Sequence, residues 1–355
     1  MDRIGVVGAG AAGAAAAFTL ERQLPGSNCT VLEKSRGLGG RAATRRRAGC
    51  RYDYGANYLT GDDPGVVELV TEHLDTEGLV SIAEPVWTFD RAGSIEPDRP
   101  ADEPRWTYRS GLTQLAKRLF GATAADVHRE VAIERLSRDS ATETWTLQDT
   151  DGTAWGPFDV VLLTPPAPQT AALLETTDWD DETRVELARA AAGVDYRTVW
   201  TAVAHYPFSL ERPYYALVNT DKRHDIGWIA RETCKPGHVP EGESLLVVQA
   251  NHEWSVAHYE SDPASNVSRL LEETSDLLGD GRLTEPDWTD HQGWRYALPQ
   301  SPFAPNADAR RSAETRGLYC AGDWVAGEGR LHAAVRNGLD VGTRIARDRR
   351  QENRS

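Results

Sequence analysis

Lysine is nearly missing from this 355-residue chain. Lys34, Lys117, Lys222 and Lys235 stand against 54 aspartates and glutamates, and arginine supplies the remaining basic groups. The formal net charge is −15. Such a surface repels polyanions, which argues against nucleic acid and anionic membranes as partners. An acid-rich, lysine-poor surface also suits a salt-rich cytoplasm, where the Debye length shrinks to about 3 Å at 1 M salt and self-repulsion is muted. Long apolar runs are missing too. The longest, near Ala11–Leu20, is about half of what a membrane-spanning helix needs. Cys29, Cys50, Cys234 and Cys320 lie far apart with no CxxC pair, and none of the nine histidines forms an HExxH pair. These absences predict reduced core cysteines, a cytoplasmic protein and no metal site. With hydrophobic residues at 40% and charged residues at 26%, the composition is that of an ordinary globular protein, long enough for two lobes.

The opening stretch, "RIGVVGAGAAGAAAAFTLERQL" (Arg3–Leu24), fits either a secretory leader or the first strand, turn and helix of a dinucleotide-binding fold. Its glycines decide for the second. Gly8 allows the tight turn after the strand Ile4–Val7, Gly10 lets the backbone approach a pyrophosphate, and Gly13 lets the helix pack on the strand. The N–H groups of Ala11 and Ala12 then open a helix whose positive end faces the phosphates. Asn28–Leu32 reads as the second strand. Glu33, twenty residues past Gly13, stands where an acid accepts the ribose hydroxyls of an adenosine.

The chain beyond Glu33 does not enter another helix at once. It continues Lys34-Ser35-Arg36-Gly37-Leu38-Gly39-Gly40-Arg41, a glycine-rich loop able to wrap a bent dinucleotide. Arg41 would add a charge-assisted contact to phosphate, whereas Arg36 reads as a solvated surface arginine.

With these residues in place, the sequence resembles the flavin amine-oxidase superfamily, which shares the two-lobed fold of p-hydroxybenzoate hydroxylase. The likeness is greatest to its renalase-like branch. It is carried by "EKSRGLGGRAATRR" (Glu33–Arg46), "YDYGANYLT" (Tyr52–Thr60), "SGLTQLAKRL" (Ser110–Leu119), "FDVVLLTPPAPQTAALL" (Phe158–Leu174), "GWRYALP" (Gly293–Pro299) and "GLYCAGDWVAGEGRLHAAVRNGLDVG" (Gly317–Gly342). The resemblance implies an α/β fold with a Rossmann-like FAD-binding domain and an interleaved α+β substrate domain. It also implies FAD, bound non-covalently, because none of the four cysteines lies in the Ser-Gly-Gly-Cys setting of the family's covalent attachment.

The resemblance assigns Lys34, Gly39, Gly40 and Arg41 to the FAD loop, and Ala56 and Asn57 to the segment brought to the flavin. Val131 falls where the family recognises adenine through a backbone amide and carbonyl. Gly322-Asp323, after the short strand Leu318–Ala321, supplies an acid for a ribityl hydroxyl. Arg330, Leu331 and His332 open a helix, with Ala333, Ala334, Val335, Leu339 and Val341 apolar, whose N-terminus favours negative charge on the flavin. Many relatives have an acid and a glycine where His332 and Ala333 stand. For catalysis the candidates are Asn57, Tyr58, Trp294, Tyr296 and His332, with Trp228, Trp254 and Trp288 as further aromatic residues of the substrate lobe. Amine oxidases often hold a lysine near flavin N5, and here only Lys222 or Lys235 could reach.

The expected division gives the FAD lobe residues 1–60, 106–168 and 296–348, the substrate lobe 61–105 and 169–295, and leaves 349–355 as a frayed tail. In the FAD lobe the expected elements are a helix at Gly111–Phe120, strands at Val127–Arg138 and Thr144–Gln148 with the turn Asp149–Gly152 closing that hairpin, and a buried strand at Asp159–Leu163. Arg197–Tyr206 and Ser244–Trp254 read as strands of the substrate lobe, and Glu96–Arg105 as a surface loop. The chemistry expected is hydride transfer from a small substrate to the flavin, with O2 reduced to H2O2. A renalase-like substrate would be an isomeric dihydronicotinamide form of NAD(P)H, whose aromatisation requires no general base. An amine oxidase or desaturase on the same fold, and a non-catalytic dinucleotide-binding protein, are the alternatives.

Overall fold

The computed structural model describes residues 1–97, 104–179 and 182–353. Arg3–Val7 is the first strand, and Ala11–Gln23 the helix that follows. Asn28–Glu33 returns parallel to the first strand, with Val6 opposite Val31 and Val7 opposite Leu32. Val160–Leu163 and Leu318–Cys320 extend the sheet on one side and Asp126–Arg129 on the other, all in parallel. Val160–Leu163 is wholly buried, as expected of an apolar strand covered on both faces.

The helix Ala11–Gln23 and the long helix Leu331–Glu352 cover one face of this sheet. They approach closely: a Cβ on Gly338 would lie 2.3 Å from the Ala12 carbonyl oxygen, and one on Gly342 would lie 2.9 Å from that of Ala16. On the other face a three-stranded antiparallel sheet of Ile133–Arg138, Trp145–Asp149 and Ala154–Phe158 adds Leu136, Trp145, Leu147 and Phe158 to the core.

The second lobe is a seven-stranded sheet in the order Trp288–Pro299, Tyr196–Tyr206, Ser244–Ala250, Ile226–Arg231, Ala216–Asn219, Val86–Phe89 and Ile95–Pro97. The helix Pro263–Leu278 packs Val267, Leu270 and Leu271 against one face of it. Two small elements tie the lobes together: the hairpin Thr44–Arg47/Cys50–Asp53, and a three-stranded sheet of Leu59–Thr60, Arg105–Tyr108 and Leu79–Ser81.

Several expectations are corrected here. Val127–Arg138 is not one strand: Glu130 turns with φ +63°, and the pieces on either side join different sheets. The turn Asp149–Gly152 leads into Ala154–Phe158, a strand that the sequence reading passed over. Ser244–Trp254 ends as a strand at Ala250, because Asn251 caps a short helix, His252–Ala257. The segment 349–355 is no frayed tail as far as it is described, since the long helix runs to Glu352 and Arg349 donates to Asp2 at 2.7 Å. Of the loop expected at Glu96–Arg105, the ends are strands and 98–103 lie outside the described residues. Helices Ala167–Glu175 and Glu182–Ala192 pack Leu173, Leu174, Leu187 and Ala188 on the parallel sheet, although 169–295 were expected with the substrate lobe. The strand Trp288–Pro299 likewise runs through the boundary expected at 296.

Candidate active site

Parallel strands leave their carboxyl ends, and the loops that follow, along one edge of the sheet. Glu33 ends one strand there and Asp323 follows another. Gly8 has φ +103° and donates to the Leu32 carbonyl at 2.8 Å, making the turn that the fingerprint requires. A Cβ on Gly13 would stand 2.2 Å from the Gly8 carbonyl oxygen, so only glycine lets this helix start so near the strand. Gly10 differs. A Cβ there would meet nothing within 4 Å, so its backbone borders open space.

The side chain of Glu33 is buried, with one carboxylate oxygen accepting from the Ala9 amide at 2.7 Å and the other from Ser35 at 2.8 Å. Both bonds lock the carboxylate at the strand end. The Gly39 amide donates to the Ala9 carbonyl at 2.9 Å, and Gly39 and Gly40 use φ +98° and +55° to fold the loop back over Gly10. Arg41 then reaches Asp323 through two parallel bonds of 2.8 and 2.7 Å, the bidentate geometry a guanidinium favours. Glu33, Gly10, Gly39–Arg41 and Asp323 thus form one continuous line across the sheet edge.

Both helices that end on this line begin without a side-chain cap: Gly10 precedes Ala11, and Arg330 precedes Leu331. Their first N–H groups stay open to an anionic group, and each helix dipole favours one. Asn337 holds the second terminus to the strand end, its side-chain oxygen accepting from the Gly322 amide at 2.9 Å.

Some assigned residues are engaged otherwise than expected. The Arg41 guanidinium is spent on Asp323 and on the Ala297 carbonyl at 2.9 Å rather than left free for phosphate. Val131 donates its amide to the Glu33 carbonyl at 2.9 Å, so only its own carbonyl could serve an adenine. The Lys34 ammonium leans on Gln169 at 3.4 Å, exposed, and Arg330 is exposed with one guanidinium bond to the Gly329 carbonyl. Leu331 packs on the helix-pair core. His332 is buried, with Nδ1 2.9 Å from the Thr60 hydroxyl and 3.4 Å from Asp62, and Nε2 3.5 Å from Glu328.

The segment after the hairpin crosses toward the substrate sheet. Ala56 donates to the Arg41 carbonyl at 2.8 Å, fixing the segment to the glycine loop. A Cβ on Gly55 would stand 2.2 Å from that same oxygen, and Gln249 of the substrate sheet donates to the Gly55 carbonyl at 2.9 Å. Asn57 donates to the Gly55 carbonyl at 3.3 Å, while its side-chain oxygen is buried without a partner. Tyr58 meets Tyr215 and Trp228, each with ring centroids 6.0 Å away. Trp294 stacks on Tyr54 at 5.3 Å and donates to its carbonyl, and Tyr296 lies edge-on to Tyr196 at 5.5 Å. Trp254 and Trp288, by contrast, are buried in the substrate lobe against Trp200 and His205.

Beside this aromatic group lies a fully buried ionic cluster. The Lys235 ammonium is 3.0 Å from Asp53 and 2.7 Å from Glu232. Glu232 also faces His238 at 2.8 Å, and Asp53 accepts from the Thr44 hydroxyl at 2.6 Å and the Leu112 amide at 3.0 Å. Burial works against the Lys235 charge, but Asp53 and Glu232 outweigh it and hold its pKa above the usual lysine value. Burial likewise opposes the Asp53 charge, and Lys235 with His238 holds that carboxyl below its ordinary value. Lys235 is therefore a locked cation, and Lys222 sits in an exposed turn with φ +57°. Burial, with Glu232 second, pushes the Tyr215 phenol well above its ordinary pKa, so it stays protonated.

The sequence reading missed Gly55, Gln249, Asn337, Gly338 and Gly342. Only the last two carried a signal, a pair of glycines four apart on one helix face.

An NAD(P)-binding Rossmann-like domain model matches residues 6–72, and the flavin containing amine oxidoreductase model matches residues 86–346. The chain belongs to the flavin-containing amine oxidoreductase family. It is accordingly a flavin-dependent oxidoreductase acting on a small molecule. Solved structures sharing the fold include a protein described as a protoporphyrinogen oxidase from Exiguobacterium sp. 255-15, at 17% identity and TM-score 0.76, covering 98% of this chain and 99% of that one. Cyclohexylamine oxidase from Brevibacterium oxydans IH-35A matches at 15% identity and TM-score 0.72, with coverage of 98% and 99%. Putrescine oxidase bound to putrescine matches at 13% identity and TM-score 0.71, with coverage of 97% and 98%. None of the helices is long and apolar enough to cross a membrane among the described residues.

Proposed function

We propose that this protein oxidises isomeric dihydronicotinamide forms of NAD(P)H, in the manner of the renalase-like branch, and passes the electrons to O2. The fit of FAD rests on the sheet edge: a glycine turn open to a pyrophosphate, two uncapped helix N-termini, and a buried acid at the strand end. Bound FAD supplies the two-electron acceptor. Glu33 would hold the adenosine ribose, the N–H groups at Ala11 and Ala12 the pyrophosphate, and the N-terminus at Leu331 the flavin edge that gains negative charge. The Arg41–Asp323 pair fixes the turn that would lie beside that edge.

The observation that carries the substrate reading is the locked Lys235. Its ammonium is committed to two carboxylates, and the neighbouring Tyr215 phenol is held protonated, so neither takes a proton from substrate. A dihydropyridine requires no such base. Its ring loses a hydride and becomes an aromatic pyridinium, and with O2 and one proton from solvent the balance closes on H2O2. What the site must supply is orientation, for which Tyr58 and Trp228 offer rings, and Asn57 Oδ1 and the Trp228 indole N–H are unpartnered polar atoms.

The test is anaerobic titration of the purified holoenzyme. Borohydride-generated NADH isomers should bleach the flavin absorbance stoichiometrically, with peroxide appearing on admission of air, and primary amines should leave it yellow. Bleaching by amines alone would overturn the reading in favour of an amine oxidase.

A further inference from the structure

We propose a zinc site on the same face of the substrate sheet as Tyr58, Tyr215 and Trp228, built from Cys50, His205 and Glu243. Cys50 opens the second strand of the hairpin, His205 lies on Tyr196–Tyr206, the strand next to the sheet edge, and Glu243 immediately precedes the strand Ser244–Ala250. One ligand atom from each of the three lies within 4.8 Å of the other two. Cys50 and His205 are buried, and Glu243 is partly exposed.

His205 lies between two carboxylates, hydrogen-bonded to one and with its buried Nδ1 unpartnered beside the other. Nε2 is 2.8 Å from Glu243 Oε2, and Nδ1 is 3.3 Å from Asp287 Oδ2. A neutral ring has one N–H for these two carboxylates. Zinc on Nε2 would displace the proton that this nitrogen shares with Glu243, leaving the ring proton on Nδ1, on the Asp287 side. A second carboxylate on the outer ring nitrogen is the usual partner of a metal-bound histidine. Trp288 stacks on the ring at 5.1 Å and 5°, holding its plane.

The other acid–histidine group already holds its cation. Asp53, Glu232 and His238 also gather within ligand distance, but Lys235 stands among them as their cation. Around Glu243 and Asp287 no lysine or arginine forms an ion pair among the described residues. Thiolate, imidazole and carboxylate together favour Zn²⁺ over Mg²⁺ or Ca²⁺, and the two anionic ligands balance its charge. Zinc bonds of about 2.0 Å to N or O and 2.3 Å to S place ligands roughly 3.3–3.5 Å apart, so shifts of about an ångström bring in the sulfur while Nε2 and the Glu243 oxygen part from 2.8 Å. A water completes it on the exposed side of Glu243. The site pins the hairpin that follows the glycine loop to two strands of the substrate sheet.

The test uses the flavin-loaded protein, stripped with chelator and dialysed against zinc sulfate. Metal analysis should find one tightly held zinc per chain, and zinc K-edge X-ray absorption one sulfur neighbour at about 2.3 Å. Cys50→Ser should lose the sulfur signal and weaken zinc retention by about tenfold or more. Glu243→Gln keeps the size of a partly exposed side chain, preserves folding if C50S does not, and should weaken retention similarly. Added zinc should raise the melting temperature of the natural protein but not of E243Q. Equal zinc retention by all three proteins, no retention by any, or a shell of nitrogen and oxygen alone would overturn the proposal.

Discussion

Gly10 and Gly13 stand three residues apart in one fingerprint, and the structure loads them differently. Nothing lies within 4 Å of a Cβ on Gly10, whereas one on Gly13 would collide with the Gly8 carbonyl at 2.2 Å. Gly10→Ala should therefore leave the melting temperature of the flavin-free protein unchanged while weakening FAD binding, because the new methyl occupies space reserved for the dinucleotide. Gly13→Ala should cost stability even without flavin, about 1–3 kcal/mol as overpacking against rigid backbone. Thermal melts of both apoproteins, with FAD titrations by flavin fluorescence, check the pair. If the two variants behave alike, the division of labour is wrong. Lys235 makes the complementary case. Lys235→Met leaves Asp53 and Glu232 buried without their cation, which costs about 3–5 kcal/mol. A denaturant midpoint close to that of the natural protein would refute it. The sequence motif made the glycines and Glu33 legible, because their roles depend on backbone spacing alone. It aimed Arg41 at phosphate and left Lys235 free to reach the flavin, because Asp323 and Asp53, which hold them, lie 282 and 182 residues away in the chain.

Between elements, the decisive contact is the pairing of the helices Ala11–Gln23 and Leu331–Glu352. Alanines on the first and Gly338 and Gly342 on the second let the axes approach until side chains nearly vanish, and this brings both N-termini to the sheet edge. Gly338→Val should force them apart, so that FAD affinity and thermal stability fall together; loss of stability with undiminished affinity would show that the second terminus takes no part in binding. A second tie is sensitive to acid. Asp63 caps its own short helix through the Val66 amide and pairs with Arg336 of the long helix. The Arg336 bonds, with the Val66 amide, draw the Asp63 carboxyl from 3.8 down to about 2. A carboxyl depressed on folding stabilises the protein above its unfolded pKa and loses that contribution as pH falls toward the folded value. Asp63→Asn should thus melt lower than the natural protein at pH 7, with the gap closing between about pH 4 and pH 2. A constant gap would assign the loss to the cap rather than the charge. Regular elements were legible wherever hydrophobic period and caps agreed, as in Asn28–Glu33. They were misread where one residue interrupts an apolar run: Glu130 splits a strand, and Asn251 turns another into a helix. The helical run to Glu352 was hidden by its polarity, since Arg349 is held by Asp2 from the other end of the chain.

At the scale of the whole molecule, the net charge of −15 sets repulsion among exposed carboxylates against the compact state. The pairs that organise the site are shielded from salt in a way this repulsion is not. Lys235, Asp53 and Glu232 are fully buried, and Asp323 is nearly so beneath Arg41. Screening acts on exposed charges separated by more than a Debye length, so molar KCl should remove the repulsion while leaving the buried pairs intact. The melting temperature of the flavin-saturated protein should therefore rise from dilute buffer to molar KCl. Lys235→Met should melt lower at every salt concentration yet show the same increment, because the cluster it disrupts lies out of reach of the added ions. Flavin saturation throughout keeps salt-dependent cofactor binding from mimicking the effect. A melting temperature that stays flat or falls with KCl would mean that the acid-rich surface carries little strain in dilute buffer, and the salt-adapted reading of this lysine-poor composition would fail with it.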